Sequence, residues 1–300
     1  MSGYSAIDLS LLPVPGVVET LDFEAILTAM KADLAARAPE LAAVLALESE
    51  PVVKLLEVAA YRELLLRARV NDAAQAVTLA RATGTDLDNL AALFGVVRLV
   101  IDPGDPLAVP PVAPTLESDA DLRRRAQLAL EGFSTAGPEG AYVFHALSAA
   151  ADVLDVSAVS PTPGDVLVTV LSRTGSGAAP APLLATVAAA LNAGDVRPLC
   201  DNVVVQSAAI VSYAITATLY FYAGPDSAVV LAAAQAAANA YASAQHRIGR
   251  DVTLSGLFAA LHQPGVQRVQ LTSPSATLTI GSGQASWCTA ITLTNGGTDE

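Results

Sequence analysis

The apolar positions of this chain change period along its length. At residues 21–38, and again from 51 to 83, they recur every three or four residues with charged side chains between them, which is the period of an amphipathic helix. The second run is the longer. In it Val52, Leu55, Leu56, Ala59, Ala60, Leu64, Leu66, Val70, Ala73, Ala74 and Val77 interleave with Lys54, Glu57, Arg62, Glu63, Arg67, Arg69 and Asp72. Ser49 stands where a cap is wanted, and Pro51 falls in the first turn, where its missing N–H costs nothing. Gly84 reads as the stop. Such a helix would be about 45 Å long at a rise of ~1.5 Å per residue. Leu64, Leu65 and Leu66 in a row widen its apolar face beyond one seam, so burial against more than one neighbour is expected, from this chain or another.

Residues 41–47 continue the helical period after Pro39, and 86–94 form a short helix stopped at Gly95. Between Ile101 and Thr115 lie five prolines and Gly104, a density that predicts an extended, semi-rigid connector and a domain boundary. Ser118 then caps a helix carrying Leu122, Ala126 and Leu130, and Pro138 opens another over 139–151. Beyond that point the period drops to two. Runs at 153–159 and 166–171, split by Pro161-Thr162-Pro163-Gly164, predict a hairpin, followed by a helix at 182–192. Val203-Val204-Val205 is a strand, and Tyr213, Ile215, Ala217, Leu219 and Phe221 alternate with polar neighbours in the next one. Gly224-Pro225 turns the chain into a helix at 228–247; a shorter helix at 254–262 and a strand at 266–271 follow. The expected fold class is therefore α+β. An elongated helical region (1–100) leads through the connector (101–117) to helices with a first α+β module of β-β-α type (118–198). A second module (199–272) and a short β-containing tail (273–300), mobile at its end, complete it.

Composition narrows the function classes. Apolar residues make up 53% and charged residues 15%, so disorder is excluded, while aromatics at 5% leave much of the apolar content to small side chains. A net charge of −13 argues against a duplex nucleic-acid binder, which needs a basic face, and against an anionic membrane surface. The uncharged stretches at 202–225 and 227–246 are too polar or too alanine-rich to insert into a bilayer. Cys200 and Cys288 are the only cysteines, so a disulfide framework is not expected. The first residues show no basic-then-apolar leader, and a reducing cytoplasm is the expected site of synthesis.

Little in the chain points to catalysis. His145, His246 and His262 have no Cys, His or carboxylate at metal-ligand spacing, and no Gly-x-Ser-x-Gly elbow occurs. Gly281-Ser282-Gly283-Gln284 lacks the lysine and the following helix of a phosphate loop. Asp86 and Asp88, like Glu117, Asp119 and Asp121, sit at helix starts, where carboxylates meet the helix dipole. No enzyme activity, metal or cofactor is expected. Arg197 before Pro198, and Arg250 beside Asp251, are suited to tying loops or subunits together, with an intradomain bond an equally open reading.

Several ordered runs carry a family resemblance. They are Leu47-Glu48-Ser49-Glu50-Pro51 with Tyr61-Arg62-Glu63-Leu64 and Arg69-Val70-Asn71, Ala82-Thr83-Gly84-Thr85-Asp86-Leu87-Asp88, and Gly95-Val96-Val97-Arg98-Leu99. Further on are Asp195-Val196-Arg197-Pro198-Leu199-Cys200-Asp201 and Gln245-His246-Arg247-Ile248-Gly249-Arg250-Asp251-Val252-Thr253-Leu254. The set resembles the baseplate J-like family, the wedge proteins of contractile tails, closest to its short phage-P2-like and R-type-pyocin-like branch. The resemblance implies a structural role in a phage or phage-tail-like particle, with two copies joining a gpI-like second wedge protein. It also implies a gpW-like sheath initiator meeting the N-terminal helices, and neighbouring wedges ringed around hub and spike. Synthesis in a bacterial host and a final place in the tail follow. The candidate assembly residues are Leu55, Leu56, Arg62, Leu66, Arg69, Arg197, Arg250 and Asp251. The alternative from another class is a self-contained adaptor.

Overall fold

A computed structural model describes residues 7–133, 137–224 and 226–298. Pro225, half of the turn expected there, and residues 299–300 of the tail lie outside the described residues. The fold is α+β, and the chain separates into two compact units. One is Ala6–Arg98 with Ser118–Ala126; the other is Leu99–Glu117 with the chain from Gln127 onward.

The helical unit is built on α1 (Phe23–Arg37) and α2 (Pro51–Ala76). Asp22 caps α1 by accepting from Ala25 N–H, as a short acidic side chain does at a helix start. Residues 39–46 form two short 3-10 turns instead of the continuous helix expected there. At the start of α2 the cap position is Glu50, whose side chain makes no cap bond, and not Ser49; Pro51 occupies the first turn. The helix has 26 residues, about 39 Å at ~1.5 Å per residue. It stops at Ala76, well before Gly84, because its continuation is outcompeted. Thr78 Oγ1 donates to the Gln75 carbonyl, and Arg123 donates to the carbonyls of Leu79 and Ala82. Gly84, at φ +53°, opens α3 (Gly84–Ala92) where it was expected to close α2. The helix α4 (Asp119–Leu128) begins after Ser118, whose Oγ accepts from Asp121 N–H.

The proline-rich stretch is not simply extended. Its ends pair as a two-stranded antiparallel ribbon, β1 (Val100–Asp102) with β2 (Thr115–Leu116), continued by a bridge between Asp105 and Val112. Gly104 makes the fold-back possible: it sits at φ +68°, and a Cβ there would collide with the Val112 carbonyl oxygen. The prolines lie mostly in the loop between the strands, where no ladder donor is required of them.

The first module has α5 (Glu139–Ala149), β3 (Val153–Val159), β4 (Asp165–Ser172), α6 (Ala181–Leu191) and β5 (Asn202–Ser207). The hairpin β3–β4 is antiparallel as expected, but β5 pairs parallel with β4 and completes the first sheet, where the sequence had placed it in the second module. A parallel neighbour needs a crossover, and α6 supplies it. Leu147, Val156, Val168, Val170, Val187 and Leu191 form part of this core. The second module has β6 (Ala209–Phe221), α7 (Ser227–Gln245), α8 (Leu254–Leu261), β7 (Val266–Ser273) and β8 (Gln284–Thr298), in sheet order β7-β6-β8. Its core takes the alternate β6 residues Tyr213, Ile215, Ala217, Leu219 and Phe221 against Ala234, Leu257 and Leu261. The expected short β-containing tail instead carries one 15-residue strand, β8, paired parallel along β6. Leu171, Ala208 and Ala285 form a small cluster that joins the two modules into one unit.

Candidate assembly interface

The two faces of α2 have different fates. Ala60, with Leu56 and Leu64 beside it, packs on Ile26, Leu27, Phe23 and Met30 of α1. Asn71, also buried, accepts from Glu19 N–H at 3.0 Å and donates to the Glu19 carbonyl at 2.8 Å, laying the chain before α1 along the helix. Arg67 reinforces this strand of chain through Glu63 and Glu19, at 2.6 and 2.9 Å. The other side is uncovered. Leu55, Val58, Leu65, Leu66, Val70 and Val77 are all exposed, with Leu55 at 70% and Leu66 at 68%. At about 100° per residue these positions, with Ala59 and Ala73, fall in one stripe roughly opposite the α1 face. The wide apolar character read from the sequence thus resolves into two faces, and α1 takes only one.

The candidate residues divide accordingly. Leu55, Leu66, Arg62 and Arg69 lie on the uncovered stripe, whereas Leu56 is half-buried against α1. Arg197, Arg250 and Asp251 lie outside α2 and bond within their own unit. Arg197 donates to Asn192 Oδ1 at 3.1 Å, and Arg250 donates to the Ala244 carbonyl at 2.8 Å, at the end of α7. Asp251 accepts from Ile280 N–H at 2.7 Å, fixing the approach to β8. The structure therefore brings four of the eight together and disperses the rest.

Sequence reasoning missed the clamp that holds the helical unit. Arg98, with only 11% of its side chain exposed, donates to Asp88 at 2.6 Å and to Asp119 at 2.7 Å. Burial opposes charge on Asp119, but hydrogen bonds from Arg98 and from Gly84 N–H outweigh it and hold the carboxyl below its ordinary range. Arg98 responds in the same sense: burial disfavours its charge, and the two carboxylates more than restore it. Asp119 is a helix-start acid as expected, whereas Asp88 lies mid-way along α3; that both face one arginine was not readable. Tyr142 was missed as well. It donates to Asp201 at 2.6 Å, and burial followed by that bond pushes its hydroxyl above the usual tyrosine range.

Among the described residues no group of His, Cys, Asp and Glu is arranged to hold a metal ion, and no helix is long and apolar enough to cross a membrane.

Comparison with known proteins fits this geometry. The baseplate J-like N-terminal domain matches residues 48–105, the baseplate J-like central domain 134–207, and the baseplate J-like protein C-terminal domain 213–294. Baseplate protein J of Escherichia phage P2 is 53% identical over 299 residues, covering 98% of this chain and 99% of that protein. The chain belongs to the baseplate J-like family. The first of the family matches contains all of α2, and the break between the other two, residues 208–212, opens where β5 and the first sheet end and takes in the first residues of β6.

Proposed function

We propose that this baseplate J-like chain is a structural component of a phage-type tail baseplate, working as a wedge protein through interfaces and not through chemistry. The observation that carries the reading is the uncovered apolar stripe of α2, in a segment matched by the family's N-terminal domain. A soluble surface of this kind marks an interaction site when its apolar positions are contiguous. In this reading α2 contributes to a helical bundle made by two copies of the chain and a gpI-like second wedge protein. A gpW-like sheath initiator meets the same bundle. The α+β modules link neighbouring wedges around hub and spike. The protein is made in the host cytoplasm and ends in the particle's tail. Rearrangement on triggering requires interfaces with two arrangements, and no catalytic group.

Co-expression with the gpI-like protein, followed by mass determination of the purified assembly, tests this. Two copies of this chain to one partner are expected. A monomer indifferent to that partner would instead leave a self-contained adaptor.

A further inference from the structure

The charges on the uncovered stripe of α2 identify its occupant more closely. Arg62 and Arg69 stand one heptad apart within it, flanked by Leu55, Leu65, Leu66 and Val70, and both are exposed. Among the described residues neither side chain takes part in an ion pair or hydrogen bond. The acids of the same helix do not serve them: Glu57 pairs with Lys54 and Glu63 with Arg67, while Asp72 lies at the margin of the stripe. A protein of net charge −13 thus presents a seam whose interior charges are both positive.

We infer that this face receives an amphipathic helix of a different chain, with an apolar seam and two carboxylates one heptad apart that meet Arg62 and Arg69. The inference rests on the wedge reading above and adds the chemistry of the partner. A second copy's α2 does not fit this stripe, so in the bundle the two copies meet through other surfaces. Parallel and in register, it sets each arginine against itself; antiparallel about the middle of the stripe, near Leu66, it sets Arg62 beside Arg69. Like charges juxtaposed in an apolar seam are selected against, and opposite charges fix register. Arginine suits this task because its planar fork takes a carboxylate with two parallel bonds while its stem lies on apolar surface.

The test titrates the full chain, at low salt, with two synthetic amphipathic helices. They are identical except for two glutamates one heptad apart in one and two lysines in the other. The glutamate helix should bind about tenfold more tightly, with the preference shrinking as salt rises, and Arg62→Glu with Arg69→Glu should reverse it. Equal binding of the two helices, no binding of either, or an unreversed preference would overturn the inference. So would a concentration-dependent dimer of the chain abolished by Leu66→Asp, since the occupant would then be a second copy. Assembly with the gpI-like protein separates this from the wider reading. If Leu66→Asp abolishes that assembly and the double arginine reversal does not, the wedge role stands and the acidic partner falls. If both variants assemble normally, both readings fall.

Discussion

Arg123 and Arg98 do at single positions what longer regular structure does elsewhere. The carbonyls of Leu79 and Ala82 would be paired within the backbone if α2 ran on; Arg123 takes them instead, at 2.7 and 2.6 Å, and the helix can end. Arg98 ties the middle of α3 to the start of α4 through Asp88 and Asp119. Since the folded-state pKa of Asp119 lies below its ordinary 3.8, its contribution is complete above that value and is lost as pH falls through the lower, folded value. Asp119→Asn should therefore lower stability at pH 7 by about 1 kcal/mol, the lower end for a partly exposed charged hydrogen bond. Denaturation at a series of pH values checks this, and the gap between variant and parent should close in acid. A constant gap down to pH of about 2 would assign the role of Asp119 to shape and not to charge.

At the level of elements, periodicity located most helices and strands because each buries one face, and burial is what a period records. Helix α2 is the instructive exception. Its apolar positions are real, but a pattern along one chain cannot say which face meets a neighbour and which stays open. The two faces should respond oppositely to mutation. Leu27→Ala, on a side chain 7% exposed, should cost about 2–5 kcal/mol of stability. Leu55→Asp and Leu66→Asp, at 70% and 68% exposure, should change stability by within about 0.5 kcal/mol while abolishing co-assembly, by burying an unpaired charge in the bundle. Urea unfolding of each variant together with co-purification checks both halves. Destabilisation of the isolated chain by the aspartates would mean that its own core uses the stripe. The ends of α2 were hidden for a different reason, since Arg123 lies 41 residues beyond Ala82 in sequence.

For the whole chain, family membership and the α+β class were legible from ordered motifs and from the switch of period after the proline-rich stretch. Strand pairing was not. Val203–Val205 alternates no differently whether it joins β4 or β6, and only the parallel ladder of β5 on β4 places it. The tail read as short in β structure because Gly281, Gly283, Gly296 and Gly297 punctuate it, yet β6 holds one strand through to Thr298. Nor could sequence show that Arg250 and Asp251 bond within their own unit, leaving α2 to carry the largest uncovered share of the candidate residues. In the wedge reading this stripe becomes buried on assembly. The most direct measurement is thiol labelling of Leu66→Cys in a Cys200→Ser background, since Cys200 is exposed, before and after binding the second wedge protein. Rapid labelling of the isolated chain and strong protection in the complex are predicted; equal labelling in both would place the assembly contact elsewhere.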